Sequence, residues 1–293
     1  MHDFLTSVGF KNMNSQEDLD QLLQDIVSAP SAYMVARDSE GNEYAEFSKD
    51  FADSMGIMVR GNFMDDDNFR IEYYIPYFYG HGITSEEQLE VQKHSEKESY
   101  AGICDEVRLG VSLIFYLQNA AEYLNEKRFP TITKGRRSVT LSGLSNNGKI
   151  LLPIRKNEKQ KKSIQKNAQN RNHLIAAARE GDEDAIENLT LEDMDTYSMI
   201  SRRIVYEDVL SIVDTCFMPY GIESDQYAVI GEILDWHKTV NKETEEEIYI
   251  MTIDTNGLIY DICINRDDLL GEPQVGRRFK GSIWMQGCIH YMN

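Results

Sequence analysis

The sequence predicts an α+β protein in which strands dominate, and three observations carry that reading. Apolar residues alternate with a period of two from Ile71 to Tyr79, from Val107 to Leu117 and again beyond Tyr227. Residues 15–28 and 120–127 instead repeat at helical spacing. Asn147-Gly148 and Asn256-Gly257 sit between apolar runs, where Asn-Gly supplies the positive φ angles of tight hairpin turns.

Taken in order, Phe4, Leu5, Val8 and Phe10 begin a core, with Gly9 closing a short first helix. In 15–28, Leu19, Leu22, Leu23, Ile26 and Val27 share a face, and Ser15 caps the start with Asp18 three residues on. After Pro30 come short strands at Tyr33 and Val35, at 44–47 and at 57–60. Ile71, Tyr73, Ile75, Tyr77 and Tyr79 then face one way along a longer strand. Residues 85–98 fit either a return strand or a glutamate-rich helix. A single strand is expected over 107–117 with one buried face, which indicates an antiparallel sheet packed on helices. Residues 139–154 are expected as a hairpin turning at Asn147-Gly148. Residues 174–179 and 184–189 suggest short helices split by Gly181-Asp182. Strands are expected at 227–236, 248–255, 258–265 and 278–292, the middle two joined at Asn256-Gly257.

A chain of 293 residues exceeds the usual ~100–200 per domain. The expected division is 1–154, an N-terminal antiparallel sheet with helices ending in a basic hairpin; 155–173, a polar basic linker or an exposed helical segment; and 174–293, short helices followed by a small β-barrel-like domain of oligonucleotide-binding or SH3 type. Charge separates along this order. The chain carries −19, yet 127–171 holds thirteen cations against Glu158 alone, or +12. Three readings stand for that basic island: a polyanion site, docking on the chain's own acidic surface, or a solvated connector. The apolar run near 111–117 is far short of the ~18 residues that span a bilayer, and the N-terminus has no basic leader. Four scattered cysteines without a C-x-x-C pair fit reduced thiols in a cytoplasm.

No motif names a chemistry. Gly143 to Lys149 matches G-x-x-x-x-G-K, but Ile150 replaces the hydroxyl that would hold magnesium, and Pro153 opposes a following helix. His94 between Glu90 and Glu98, the thiol of Cys104 beside Asp105 and Glu106, and the loop Asp65-Asp66-Asp67 each lack the partners of a metal or catalytic site. No cofactor is expected. The candidate contact surface is the last strand, where Arg278, Lys280, Trp284 and Gln286 are expected to face outward unless the N-terminal domain covers the indole. Arg136, Arg137 and Lys149 of the basic island are grouped with it.

Three stretches, KESYAGICDEVRLGVSLIFYLQN (97–119), LIAAAREGDEDAIENLTLEDMDTYSMISRRI (174–204) and NRDDLLGEPQVGRRFKGSIWMQG (265–287), together with the opening FLTSVGF, resemble a domain-of-unknown-function family of uncharacterised proteins from gut clostridia. The resemblance implies a bacterial cytoplasmic protein and brings no activity, substrate or catalytic residue. The reading preferred from the sequence is a non-enzymatic binding or regulatory module with a protein partner, or secondarily nucleic acid, and no membrane. The alternatives are an enzyme with an interdomain site drawn from His81, His94, Cys104 or the acidic loop, and a structural subunit of a complex.

Overall fold

In the computed structural model the chain is mixed α+β and mostly sheet. The structure describes residues 2–13, 15–38, 40–64, 68–93, 98–106, 108–128, 137–154 and 158–291, with side chains of 158–166, 168 and 169 excepted. Four strands, β1 (Ala32–Arg37), β2 (Glu43–Ala52), β3 (Met55–Phe63) and β4 (Phe69–Phe78), pair antiparallel in sequence order. Helix α1 (Gln16–Ser28) packs on β2 and β3 through Leu19, Leu22, Leu23 and Ile26. Ser15 caps it by accepting from the Asp18 amide at 3.3 Å, and Gly9, at φ +86°, closes the one-turn helix Thr6–Val8.

The second sheet holds the other ten strands among the described residues. They are β5 (Leu89–Lys93), β6 (Tyr100–Glu106), β7 (Val111–Leu117), β8 (Arg137–Leu151), β9 (Cys216–Pro219), β10 (Gln226–Val240), β11 (Glu247–Thr255), β12 (Leu258–Asn265), β13 (Leu269–Leu270) and β14 (Arg278–Tyr291). β8 bonds parallel to β12, β12 to β11, β11 to β10, β10 to β14, and β14 back to β8, so the ladder through these five strands returns to its start. β7, β6 and β5 continue from β14. Helix α2 (Ala120–Arg128) lies against β1 and β2.

Two expectations about strands are corrected. The stretch expected as one strand over 107–117 is broken: β6 ends at Glu106, and Gly110, at φ +70°, leads into β7. The amides of Leu109 and Gly110 both donate to the Glu106 carbonyl, closing a tight turn. The hairpin expected over 139–154 is instead the single 15-residue strand β8. Gly148 is not a turn residue. A Cβ there would sit 2.4 Å from the Phe279 ring, and one on Gly143 would crowd Ile262 and Ile283. Both glycines are flat spots on a strand against which β12 and β14 side chains close. Asn256-Gly257 does turn, with φ of +56° and +87°, and joins β11 to β12.

Residues 158–173, expected as a linker or an exposed helical segment, belong to α3 (Glu158–Arg179). The short helix expected from 184 is α4 (Glu183–Ile204), which starts at the Asp182 cap after Gly181 turns the chain at φ +92°. α3 and α4 pack side by side, and α5 (Val209–Ile212) follows.

Candidate functional site

The expected outward row on β14 does not face solvent as a unit. Arg278 is buried at 4% exposure and donates to the carbonyls of Leu152, Leu210 and Val213. It fastens the ends of β8 and the α5 region to β14. Gln286 is fully buried; its amide donates to the Pro76 carbonyl at 2.9 Å and its oxygen accepts from Gln118 at 2.8 Å. Trp284 is 6% exposed. The outward assignment of these three is therefore corrected: the end of β8 and the α5 region cover Arg278, β4 meets Gln286, and His2 and Phe4 lie against Trp284. Strand alternation identifies two faces but not whether a second layer lies on each.

Lys280 is half-exposed and stands directly opposite Lys149 in the β14–β8 register. Arg137 lies at the far end of β8, its guanidinium 5.7 Å from the centre of the Tyr291 ring. Arg136, His94 and Asp65-Asp66-Asp67 lie outside the described residues. Cys104 is buried beside Ser85, and burial pushes its thiol up to about 11, away from the thiolate a nucleophile needs. The exposed His81 ring meets the buried Asp261 carboxylate through Nδ1 at 2.9 Å, and Thr252 donates to the same carboxylate at 2.6 Å.

Trp284 instead borders a cavity of about 390 Å³, with His2, Asp3, Phe4, Tyr116, Glu223, Asp225 and Gln226 as its other walls. The indole Nε1–H donates to Asp225 Oδ2 at 2.9 Å, and the Met285 amide donates to the Asp225 carbonyl. Gln226 lies opposite Trp284 in the β10–β14 ladder, so both walls are fixed by sheet register. Between Ser282 and Trp284 the β14–β8 register shifts, an irregularity of the kind that re-aims a side chain. Ring centres of His2, Tyr116 and Phe4 lie 4.8, 5.1 and 5.7 Å from that of Trp284.

Asp3, Glu223 and Asp225 supply carboxylates, and the cavity's described walls include no lysine or arginine. Burial lowers His2 to about 4 against the opposing pull of Asp3, so the imidazole is neutral at pH 7. The Phe4 amide donates to His2 Nδ1 at 3.3 Å, which leaves the ring proton on Nε2. Arg60, which donates to the Tyr116 hydroxyl at 2.6 Å, is itself paired with Glu46 at 2.7 Å. The sequence reading singled out Trp284 and passed over the acidic Glu223–Asp225 approach to β10, a signal that was present. The contribution of His2 to Phe4 had no local signal, because a contact across some 280 residues is set by the fold.

Fold and site define a sheet-rich α+β protein with an acidic, aromatic-walled cavity and no helix among the described residues long and apolar enough to cross a membrane. The chain belongs to the family described as "Domain of unknown function, E. rectale Gene description (DUF3881)", whose pattern matches residues 5–287. No curated protein and no solved structure matches it.

Proposed function

We propose that this protein is a non-enzymatic binding module whose Trp284 cavity takes a small organic cation, either a free ammonium compound or the basic side chain of a protein partner. The single observation that carries this reading is the composition of the cavity: aromatic rings beside three carboxylates, with a neutral His2 and no basic wall residue among those described. A ring quadrupole attracts a cation by ~0.5–2 kcal/mol, more as the site dries. Carboxylates add charge-assisted contacts. The cyclic pairing of β8, β12, β11, β10 and β14 supports a small barrel-like core as the rigid scaffold. Free cysteines support a reducing compartment such as the cytoplasm.

The test uses choline and the indole fluorescence of a Trp236→Phe background, which leaves Trp284 as the reporter. Choline is expected to change the emission saturably, with a Kd near ~1 mM, the value that corresponds to about −4 kcal/mol. Asp225→Asn combined with Glu223→Gln keeps an acceptor for the indole N–H while removing two charges, and should weaken binding about tenfold. An unsaturable response, or equal affinity in the double variant, would sink the reading.

A further inference from the structure

We infer that His81 is a phosphoryl-accepting nucleophile, taking the group on Nε2 from a small phosphoramidate or acyl phosphate. The site shares no residue with the walls of the Trp284 cavity. His81 sits between Gly80 and Gly82 in the turn that follows β4. That turn is fastened on both sides. A Cβ on Gly80 would stand 2.7 Å from the Leu141 carbonyl oxygen, the Thr140 hydroxyl donates to the Gly82 carbonyl, and the Thr84 amide donates to the Val139 carbonyl at 2.8 Å. The His81 amide itself donates to Asp261 Oδ2 at 2.9 Å.

Asp261 fixes the ring as well as the backbone. It stands on β12, opposite Thr252 of β11 and Ser142 of β8. Oδ1 accepts from the Thr252 hydroxyl, and Oδ2 lies 2.9 Å from His81 Nδ1. A carboxylate in that position has only lone pairs to offer, so the ring hydrogen is on Nδ1 and Nε2 carries the free pair. The carboxylate side chain is 6% exposed, whereas that of His81 is 61% exposed. Gly82, at φ +70°, has no heavy atom beyond its chain neighbours within 4 Å of where a Cβ would stand, so a reactant has room on that side. No other histidine among the described residues combines these features. His2 is half-buried against the Trp284 ring, His290 meets the Thr140 hydroxyl through Nε2 at 2.8 Å, and His173 and His237 are exposed without a bonded carboxylate.

In the transfer, the Nε2 pair forms a bond to phosphorus as the P–N bond of phosphoramidate, or the P–O bond of an acyl phosphate, breaks. Ammonia or a carboxylate leaves with the bonding pair. The ring becomes cationic, and its Nδ1 hydrogen stays against Asp261, whose charge offsets the new one.

The test incubates the full chain with phosphoramidate at neutral pH. Peptide mapping under alkaline conditions, where the phosphorus–nitrogen bond survives, compares labelling at His81 and at His237. His81 is expected to react at least about tenfold faster, and phosphorus–nitrogen NMR correlation is expected to place the group on Nε2. This comparison needs no variant to fold. Asp261→Asn keeps the shape and an acceptor for the Nδ1 hydrogen while removing the charge. It should slow His81 about tenfold, with the His237 rate and circular dichroism unchanged, a loss that a role in holding the turn does not produce. Equal labelling of the two histidines, a group found on Nδ1, or an undiminished rate in Asp261→Asn would each overturn the assignment and leave Asp261 as a clasp for the turn.

Discussion

Arg60 shows how much a single side chain holds. It is fully buried on β3 and joins the two sheets: its guanidinium pairs with Glu46 of β2 at 2.7 Å and donates to the Tyr116 hydroxyl and to the Gln118 carbonyl, both at 2.6 Å. Burial raises Glu46 while Arg60 pulls it down, and burial prevails. Removing one member of a buried pair strands the other, at a cost of ~3–5 kcal/mol. Arg60→Met is therefore expected to lower unfolding free energy by about that much at pH 7. The sign with pH follows. Without Arg60 the folded-state pKa of Glu46 rises further above its unfolded value, so the folded protein binds the extra proton. The deficit should be smallest at low pH, where Glu46 is protonated in both states, and should grow as pH rises above the ordinary glutamate range. Urea melts of wild type and variant at several pH values measure it, and a deficit independent of pH would contradict the pairing. A buried arginine on a strand leaves no mark in sequence, because alternation treats Arg60 as a solvent position.

β8 carries the corresponding lesson at the scale of an element. Asn147-Gly148 has the composition of a hairpin turn, and in the sequence nothing separates that reading from a strand whose glycine is needed for space. The structure uses Gly148 for packing: the Phe279 ring lies where its Cβ would be, and Gly281 opposite also gives way to the same ring. Gly148→Ala should destabilise by ~1–3 kcal/mol, the usual cost of overpacking. Gly148→Ala combined with Phe279→Leu should recover part of that loss, since the two changes share one space. Thermal melts give both values, and strict additivity would argue against the contact. By contrast, Asn256-Gly257, the Ser15 cap and the Gly9 stop were legible, because each rests on local backbone geometry. Helices α3 and α4 were only half legible: α3 begins in polar sequence without an apolar face, and α4 continues well past the expected 189.

For the whole molecule, the basic island divides among several settings. Arg137 and Lys149 sit on the central strand β8, and Arg171 on α3 meets Glu192 and Asp193 of α4. That contact joins one island cation to acidic residues of the same chain. The surface expected on β14 dissolves, while Trp284 passes from an exposed stacking platform to the wall of an acidic cavity. Trp284, singled out in the sequence, borders that cavity. Its environment is built by residues near position 3 and near position 225, which the fold brings together.

The most direct check of the cation reading compares choline with 3,3-dimethylbutan-1-ol, which has nearly the same shape and no charge. Isothermal titration into the full chain is expected to show choline bound at least about tenfold more tightly, a difference of ~1.4 kcal/mol. Equal affinities would mean that the cavity recognises apolar shape alone, and tighter binding of the alcohol would contradict the account outright.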